Sequence, residues 1–325
     1  MFVLGLQGSP RKKGNTNYLI KTFMNEAEKS GARTHVIEVA EKKIIPCIGC
    51  GVCEKKGYCV TQDDDMTLEI YPLLREADVI VAASPIYFYN VTAQLKALID
   101  RSQTLWSRKY RLNIEDPQEK MRRGFLLALG ATKGKNLFEG VKLTAQYFFD
   151  AVSAKNEGSL TYWRIEHPGD MEKHPTVREE VRDAVAGLIK PFLTRKIILF
   201  VCRENACRSQ MASAFTQYLA GDKIEAISAG SEPADKINPD MVKAMQEKGI
   251  DMAFRRTRSL SQAVSDVTPD MIISMGCQEE CPLIPGAEIQ DWDLPDPAGQ
   301  SMEFMQTVRD EIESRVKDLV RSVLI

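Results

Sequence analysis

Short apolar runs alternate with amphipathic stretches of helical spacing, and the alternation starts twice. Residues 2–6 are an apolar run bounded by glycine, 17–30 have helical spacing, and 34–39 alternate like a strand. Residues 67–76 are helical, 79–83 continuously apolar, 93–102 helical and 124–129 apolar again. This rhythm predicts an α/β fold whose parallel sheet is covered by helices on both faces. Ligands of such sheets bind in the loops that follow the strands' carboxyl ends. A helical pattern over 175–193 closes the first half. A fresh strand at 196–201 restarts the rhythm, so the boundary is expected near Thr194, with domains 1–194 and 195–325.

Two domains also suit the length of 325 residues. With 44% hydrophobic and 27% charged residues the chain reads as ordinary globular protein rather than disordered. A net charge of −2 leaves no electrostatic footprint for nucleic acid or an anionic membrane, so neither is expected as a partner. No apolar run approaches the roughly 18 residues of a membrane span. The start, MFVLGLQGSPRKKG, puts its charges after the apolar run and reads as a strand entering a loop, not as a secretory signal. The expected location is cytoplasmic, where eight cysteines are catalytic or metal-binding rather than structural disulfides. Their distribution divides the chain: Cys47, Cys50, Cys53 and Cys59 fall in the first half, and Cys202, Cys207, Cys277 and Cys281 in the second. The chain reads as two redox units joined end to end.

In the first half, the opening strand runs into Gly8-Ser9-Pro10-Arg11-Lys12-Lys13-Gly14-Asn15-Thr16-Asn17. A small-residue loop entering a helix offers backbone N–H groups and hydroxyls to a phosphate, although alone it is equally an ordinary strand–helix turn. It matches neither the dinucleotide fingerprint nor the P-loop. Two further strands end in Ser84-Pro85-Ile86-Tyr87-Phe88-Tyr89-Asn90 and Gly130-Ala131-Thr132-Lys133-Gly134. Together the three loops suit a phosphate tail and a flat ring system. Over residues 1–193 they resemble the flavodoxin-like FMN reductase family. The resemblance implies FMN as cofactor and NAD(P)H as electron donor. Ser9, Arg11, Asn15, Thr16 and Asn17 would hold the FMN phosphate, with Pro85, Ile86, Tyr87, Phe88 and Asn90 flanking the ring and Gly130, Ala131 and Thr132 on its other edge. It also implies a homodimer or homotetramer.

Between these loops, Cys47-x2-Cys50-x2-Cys53-x5-Cys59 can converge on one small site, and Gly49, Gly51 and Gly57 let the backbone wrap tightly. Zinc sites more often use two separated pairs. A compact run of four thiolates suits a [4Fe–4S] cluster, and the spacing resembles that of iron-sulfur flavoproteins. The alternative is a loop of reduced thiols.

In the second half, the strand at 197–201 delivers Cys202-Arg203-Glu204-Asn205-Ala206-Cys207-Arg208-Ser209 ahead of a helical stretch at 210–220. The five residues between Cys202 and Arg208 let a loop curl its N–H groups around a tetrahedral oxyanion, with Arg208 as a bidentate clamp. The helix dipole and Arg208 favour the Cys202 thiolate, and Ser209 can donate to that sulfur. The segment resembles the low-molecular-weight tyrosine phosphatase superfamily, and more closely its arsenate reductase branch. Ser228-Ala229-Gly230, the run from Met275 to Pro282, and Asp291-Trp292-Asp293-Leu294-Pro295-Asp296-Pro297 carry the resemblance across 196–325. It implies a site of Cys202, Asn205, Arg208 and Ser209, with Asp296 as general acid and Cys277 and Cys281 as relay thiols. Arg203 and Glu204 depart from the smaller residues usual in such a loop, and Glu204 adds a negative charge near an anion site. Cys207 reads as a small buried filler.

The reading is an arsenate reductase whose cysteine relay is re-reduced by its own flavin domain. A low-molecular-weight protein tyrosine phosphatase with flavin-linked redox regulation is the alternative. A non-enzymatic redox sensor comes third.

Overall fold

The computed structural model describes residues 1–276 and 284–323. These fold as two compact units. The first comprises Met1–Asn113 and Met121–Leu193, the second Ile114–Lys120 and Thr194–Ile325.

In the first unit the elements run β1 (Phe2–Gln7), α1 (Asn15–Lys29), β2 (Arg33–Glu38), α2 (Val52–Lys56), α3 (Tyr71–Glu76), β3 (Val79–Pro85), α4 (Ala93–Arg101), α5 (Gln103–Tyr110), β4 (Arg123–Leu129), α6 (Glu139–Ala151), β5 (Lys155–Tyr162) and α7 (Val177–Ile189). The strands form one all-parallel sheet in the order β2-β1-β3-β4-β5, the flavodoxin-like arrangement. β1, β3 and β4 are almost wholly buried, as the continuous apolar runs require. The helical pattern at 67–76 divides into a π-type turn at Met66–Ile70 and then α3. Pro72 has no N–H to give the Leu68 carbonyl, so the regular i→i−4 ladder cannot pass through it.

The second unit runs β6 (Lys196–Cys202), α8 (Arg208–Ala220), β7 (Ile224–Gly230), α9 (Pro239–Glu247), α10 (Leu260–Asp266), β8 (Met271–Ser274), β9 (Glu288–Asp291) and α11 (Met302–Val323). Its parallel sheet has the order β7-β6-β8-β9. The core gathers Ile198, Phe200, Met211, Phe215, Ile273 and Trp292 with Ile312 and Val316 of α11. The stretch Ile114–Lys120, which the rhythm assigns to the first half, packs in this unit. Glu115 donates its N–H to the Gly249 carbonyl (2.7 Å) and accepts from Asp251 (2.8 Å), a backbone ladder no local pattern announces. In each unit the strand order reverses beside its first strand, at β1/β3 and at β6/β8. Ligand sites of this fold class lie outside the carboxyl ends at those points.

Candidate active sites

At the β1/β3 end, the loop after β1 is held from below. Gly8 donates its N–H to the Ala83 carbonyl (2.8 Å), and the Thr92 hydroxyl donates to the Gly8 carbonyl. A Cβ at Gly8 would stand 2.8 Å from Leu95 Cδ2 and 2.9 Å from the Ala83 carbonyl oxygen, so only glycine lets the loop settle there. Ser9 is buried and its hydroxyl accepts from the Arg11 N–H (3.2 Å). α1 begins at Asn15 behind Gly14, which has no side chain to cap the first turn. Its opening N–H groups and the positive end of the helix dipole are therefore presented to the loop. Thr16 is buried beside them. The Asn15 and Asn17 side chains have partners in the protein. Asn15 donates to the His167 carbonyl (2.8 Å) and accepts from Gly169 and Met171 (both 3.2 Å), while Asn17 donates to Glu38 (3.2 Å). Both asparagines brace the cradle through their side chains.

The second loop is a tight turn. Tyr87 and Asn90 exchange backbone hydrogen bonds (2.9 and 3.0 Å) around Phe88 and Tyr89, whose φ values are +48° and +64°. Phe88 is fully exposed, and Tyr87 and Tyr89 are about half exposed. Pro85 and Ile86 are partly buried, and Ile86 donates to the Leu129 carbonyl (2.8 Å), tying this turn to the third loop. Gly130 is buried, and Ala131 and Thr132 are exposed. A Cβ at Gly134 would lie 3.3 Å from the Tyr89 hydroxyl, and one at Gly140 only 2.5 Å from the Tyr89 carbonyl oxygen. The three loops thus surround one end of the sheet. An uncapped helix start and aromatic rings facing solvent fit a phosphate and a flat ring.

The first-half cysteines line a pocket of about 410 Å3 together with Arg101, Gln103 and Thr104 of the α4–α5 junction. Gly51 and Gly57, at φ +69° and +70°, bracket α2, which carries Cys53. A Cβ at Gly57 would collide with Arg108, whose Nη1 donates to the Gly57 carbonyl (2.7 Å). All four thiols are free. Among the described residues no three Cys, His, Asp or Glu side chains converge on a single metal ion. The donor set is four thiols around one cavity, the ligand number and type that a [4Fe–4S] cluster takes. Arg101, which lines the same pocket, has a buried Nε–H with no hydrogen-bond partner among the described residues.

In the second unit β6 ends at Cys202, buried at the carboxyl edge, and the loop returns through Arg208 at the start of α8. A hydrogen-bond chain orients its sulfur. Asn205 is fully buried with φ +52°, a left-handed conformation that asparagine tolerates. Its Oδ1 accepts the Arg258 backbone N–H (2.8 Å) and Gln210 Nε2 (3.1 Å). A backbone N–H can only donate, so the opposite atom is the amide nitrogen, which donates to Ser209 Oγ (2.8 Å). Ser209 Oγ lies 3.0 Å from Cys202 Sγ, a hydrogen-bond contact in which either atom can donate. With Cys202 as thiolate, the serine hydroxyl is the donor.

Arg208 is buried and held in place. Nη1 donates to the Leu294 carbonyl (3.0 Å) and Nη2 to Asp296 Oδ2 (2.6 Å). Asp296 is half exposed. Two glycines make room. A Cβ at Gly230 would lie 2.6 Å from the Arg203 carbonyl oxygen, and one at Gly276 (φ +74°) 2.9 Å from Arg208 Nη1. Glu204 and Arg203 are exposed, and Arg203 pairs with Glu232 (2.9 Å). Cys277 and Cys281 lie outside the described residues.

Cys207 is buried, and burial pushes its thiol up to about 12, with Asp296 and Cys202 adding to the effect. It stays protonated at neutral pH. Cys207→Ala should therefore leave turnover unchanged while costing about 1 kcal/mol of stability. In the folded protein at pH 8, mass mapping after iodoacetamide should find Cys207 unlabelled, and labelling there would contradict the assignment.

Each unit is therefore a parallel α/β domain with its ligand loops at the strand-order reversal, one suited to a flavin nucleotide and one to a tetrahedral oxyanion. Residues 1–134 match the family model of NADPH-dependent FMN reductase, and 197–324 that of low molecular weight phosphotyrosine protein phosphatase. An iron-sulfur flavoprotein of Methanocaldococcus jannaschii is 45% identical over 105 residues, which are 32% of this chain and 53% of that protein. A glutaredoxin arsenate reductase of Synechocystis sp. is 35% identical over 131 residues, 39% of this chain and 98% of that protein. An arsenate reductase of Staphylococcus epidermidis is 33% identical over 135 residues, 40% of this chain and 100% of that protein. The chain spans about half the length of the iron-sulfur flavoproteins it matches, 45% to 58%. It belongs, through its second unit, to the arsenate reductases of the low-molecular-weight phosphatase family, fused to a domain of the FMN reductase family. No helix among the described residues is long and apolar enough to cross a membrane.

Several residues of these sites carry no signal in the sequence. The Leu294 carbonyl, the Arg258 N–H and Gln210 act through atoms that any residue, or many, could supply. Gly230 and Gly276 had a readable trait, since glycine beside a ligand loop marks close backbone approach.

Proposed function

We propose that this chain reduces arsenate to arsenite with electrons from NAD(P)H, through FMN in its first unit and a cysteine relay in its second. The observation that carries the reading is the buried chain Asn205–Ser209–Cys202 facing Arg208, since it supplies a nucleophile, an oriented donor and an oxyanion clamp in one loop.

Bound FMN supplies acceptance of a hydride from a nicotinamide and onward delivery of the electrons. Ser9, Arg11 and the first N–H groups of α1 at Asn15, Thr16 and Asn17 hold its phosphate. Pro85, Ile86, Tyr87, Phe88 and Asn90 flank the ring, with Gly130, Ala131 and Thr132 at its far edge. Cys47, Cys50, Cys53 and Cys59 are the ligands for a [4Fe–4S] cluster. The exposed rings of the aromatic turn support assembly as a homodimer or homotetramer.

In the second unit, Arg208 and the loop N–H groups bind arsenate, and Cys202 attacks arsenic while Asp296 protonates the departing hydroxide. Cys277 then attacks the Cys202 sulfur. The sulfur–arsenic electron pair stays on arsenic, arsenite leaves, and a disulfide records the two electrons given up. Cys281 resolves that bond into Cys277–Cys281, which the flavin domain reduces. Gly276, which precedes Cys277 in the sequence, packs against Arg208. A tethered donor works at a local concentration of roughly millimolar, so no separate thioredoxin is required.

Wild-type protein should oxidise NAD(P)H over many turnovers only when arsenate is present, with no thioredoxin added. Turnover that appears only with thioredoxin would disprove the internal relay. The family match and the Arg208–Asp296 pair also favour a second reading, a phosphatase under flavin-linked control. That reading requires brisk nitrophenyl phosphate hydrolysis that survives loss of Cys277 and Cys281.

A further inference from the structure

The thiol pocket of the first unit has a charged residue in its wall that neither the motif nor the comparisons assign. Arg101, at the end of α4, is 2% exposed yet lines the pocket with Cys47, Cys50, Cys53 and Cys59. Its Nη1 donates to the Ile45 carbonyl (2.7 Å) and to Asp64 (2.5 Å). Its Nη2 donates to the Thr61 carbonyl and to Asp64 (both 3.2 Å). Ile45 and Thr61 stand just outside the cysteine-bearing stretch on either side, so one guanidinium ties down both ends of the loop. Asp64, itself buried, accepts further N–H bonds from Ile45 (3.1 Å) and Thr67 (3.2 Å).

The fifth donor is different. Arg101 Nε is buried without a hydrogen-bond partner among the described residues. A buried donor left unmade costs about 1–3 kcal/mol, a burden that native proteins rarely carry without a reason. Burial works against the guanidinium charge, but the Asp64 bond, with Tyr71 and Cys59 nearby, leaves it held more firmly than usual. A fixed cation with a spare N–H beside four thiols is complementary to anionic sulfur.

We propose that Arg101 is the positioning residue of the cysteine pocket, its Nη groups fixing the loop ends and its Nε–H donating to a cysteine or inorganic sulfur of a cluster held there. The inference rests on the reading that the four thiols bind a [4Fe–4S] cluster. A hydrogen bond and a positive charge at sulfur stabilise the reduced, more negative cluster and so raise its potential. Asp64 keeps the guanidinium oriented.

The test uses the full chain, reconstituted anaerobically with ferrous iron and sulfide. If the wild type takes up no iron and sulfide, the thiols hold no cluster, and both the reading and this inference fall. If it loads, Arg101→Lys, which keeps the charge but removes the Nε donor and the fork, should lower the midpoint potential in a spectroelectrochemical titration. A loaded Arg101→Lys protein with the wild-type potential would overturn the inference while leaving the cluster standing. Wild-type protein grown on arginine carrying 15N at Nε gives an independent reading that needs no variant. The reduced cluster should show a 15N hyperfine coupling, and its absence would overturn the inference even if Arg101→Lys fails to fold.

Discussion

Cys202→Ser should abolish arsenate-dependent NAD(P)H oxidation, a fall of at least about 10³-fold, because a hydroxyl in this loop is a far weaker nucleophile than a thiol and cannot enter a disulfide. The geometry argues that the loss is chemical. Serine is nearly isosteric, Ser209 can still hydrogen-bond to position 202, and the buried amide of Asn205 keeps its three partners. Circular dichroism and thermal melting should match the wild type. Oxidation of NAD(P)H with ferricyanide as acceptor should also survive, since it draws on the first unit alone. Retention of arsenate-dependent turnover by Cys202→Ser would remove the nucleophile from the scheme.

Arg208→Lys should reduce kcat/KM for arsenate by about 10²- to 10³-fold. Arg208 has five N–H donors. Among the described residues Leu294 and Asp296 each take one, and the remaining N–H groups are available to an oxyanion. A lysine can keep the bond to Asp296 or reach the substrate, but not both, and it has no planar fork. The same pair predicts a different profile for Asp296→Asn. There the clamp is released from its carboxylate, so arsenate binding should hold or tighten while kcat falls with the loss of the proton donor. Steady-state NAD(P)H consumption against arsenate concentration separates the two cases. Equal kcat/KM in Arg208→Lys and wild type would mean that the loop N–H groups alone bind the anion.

The sheet strands most visible in the sequence are those that bury both faces. β1, β3, β4 and β6 are apolar runs because a parallel strand between helix layers has no wet side. Two of the edges were not legible. β5 reads KNEGSLTY and β9 reads EIQD, polar strands that exist because a neighbour pairs with them. Cys-x5-Arg-Ser was legible as an oxyanion loop because its chemistry is local. The amide switch at Asn205 was not, because its orientation is set by an N–H 53 residues away. Asp64 and Arg101 lie 37 residues apart and meet only after folding, so the bracket under the cysteine loop had no motif to announce it. The phosphate cradle shows a subtler gap. The small polar residues identified the loop, but folding commits two of their side chains to bracing it.

The turn after β3 has a consequence for what its rings are for. Phe88 and Tyr89 both occupy the mirror-image backbone region, where each bulky residue forfeits roughly 1–2 kcal/mol that glycine would save. Phe88 recovers none of this by packing inside its own unit, because its side chain is entirely in solvent. A two-residue hairpin that needed only to reverse direction would carry Asn-Gly. Keeping a benzene ring at such a corner, at a standing thermodynamic loss, indicates that the ring is displayed for something that arrives from outside.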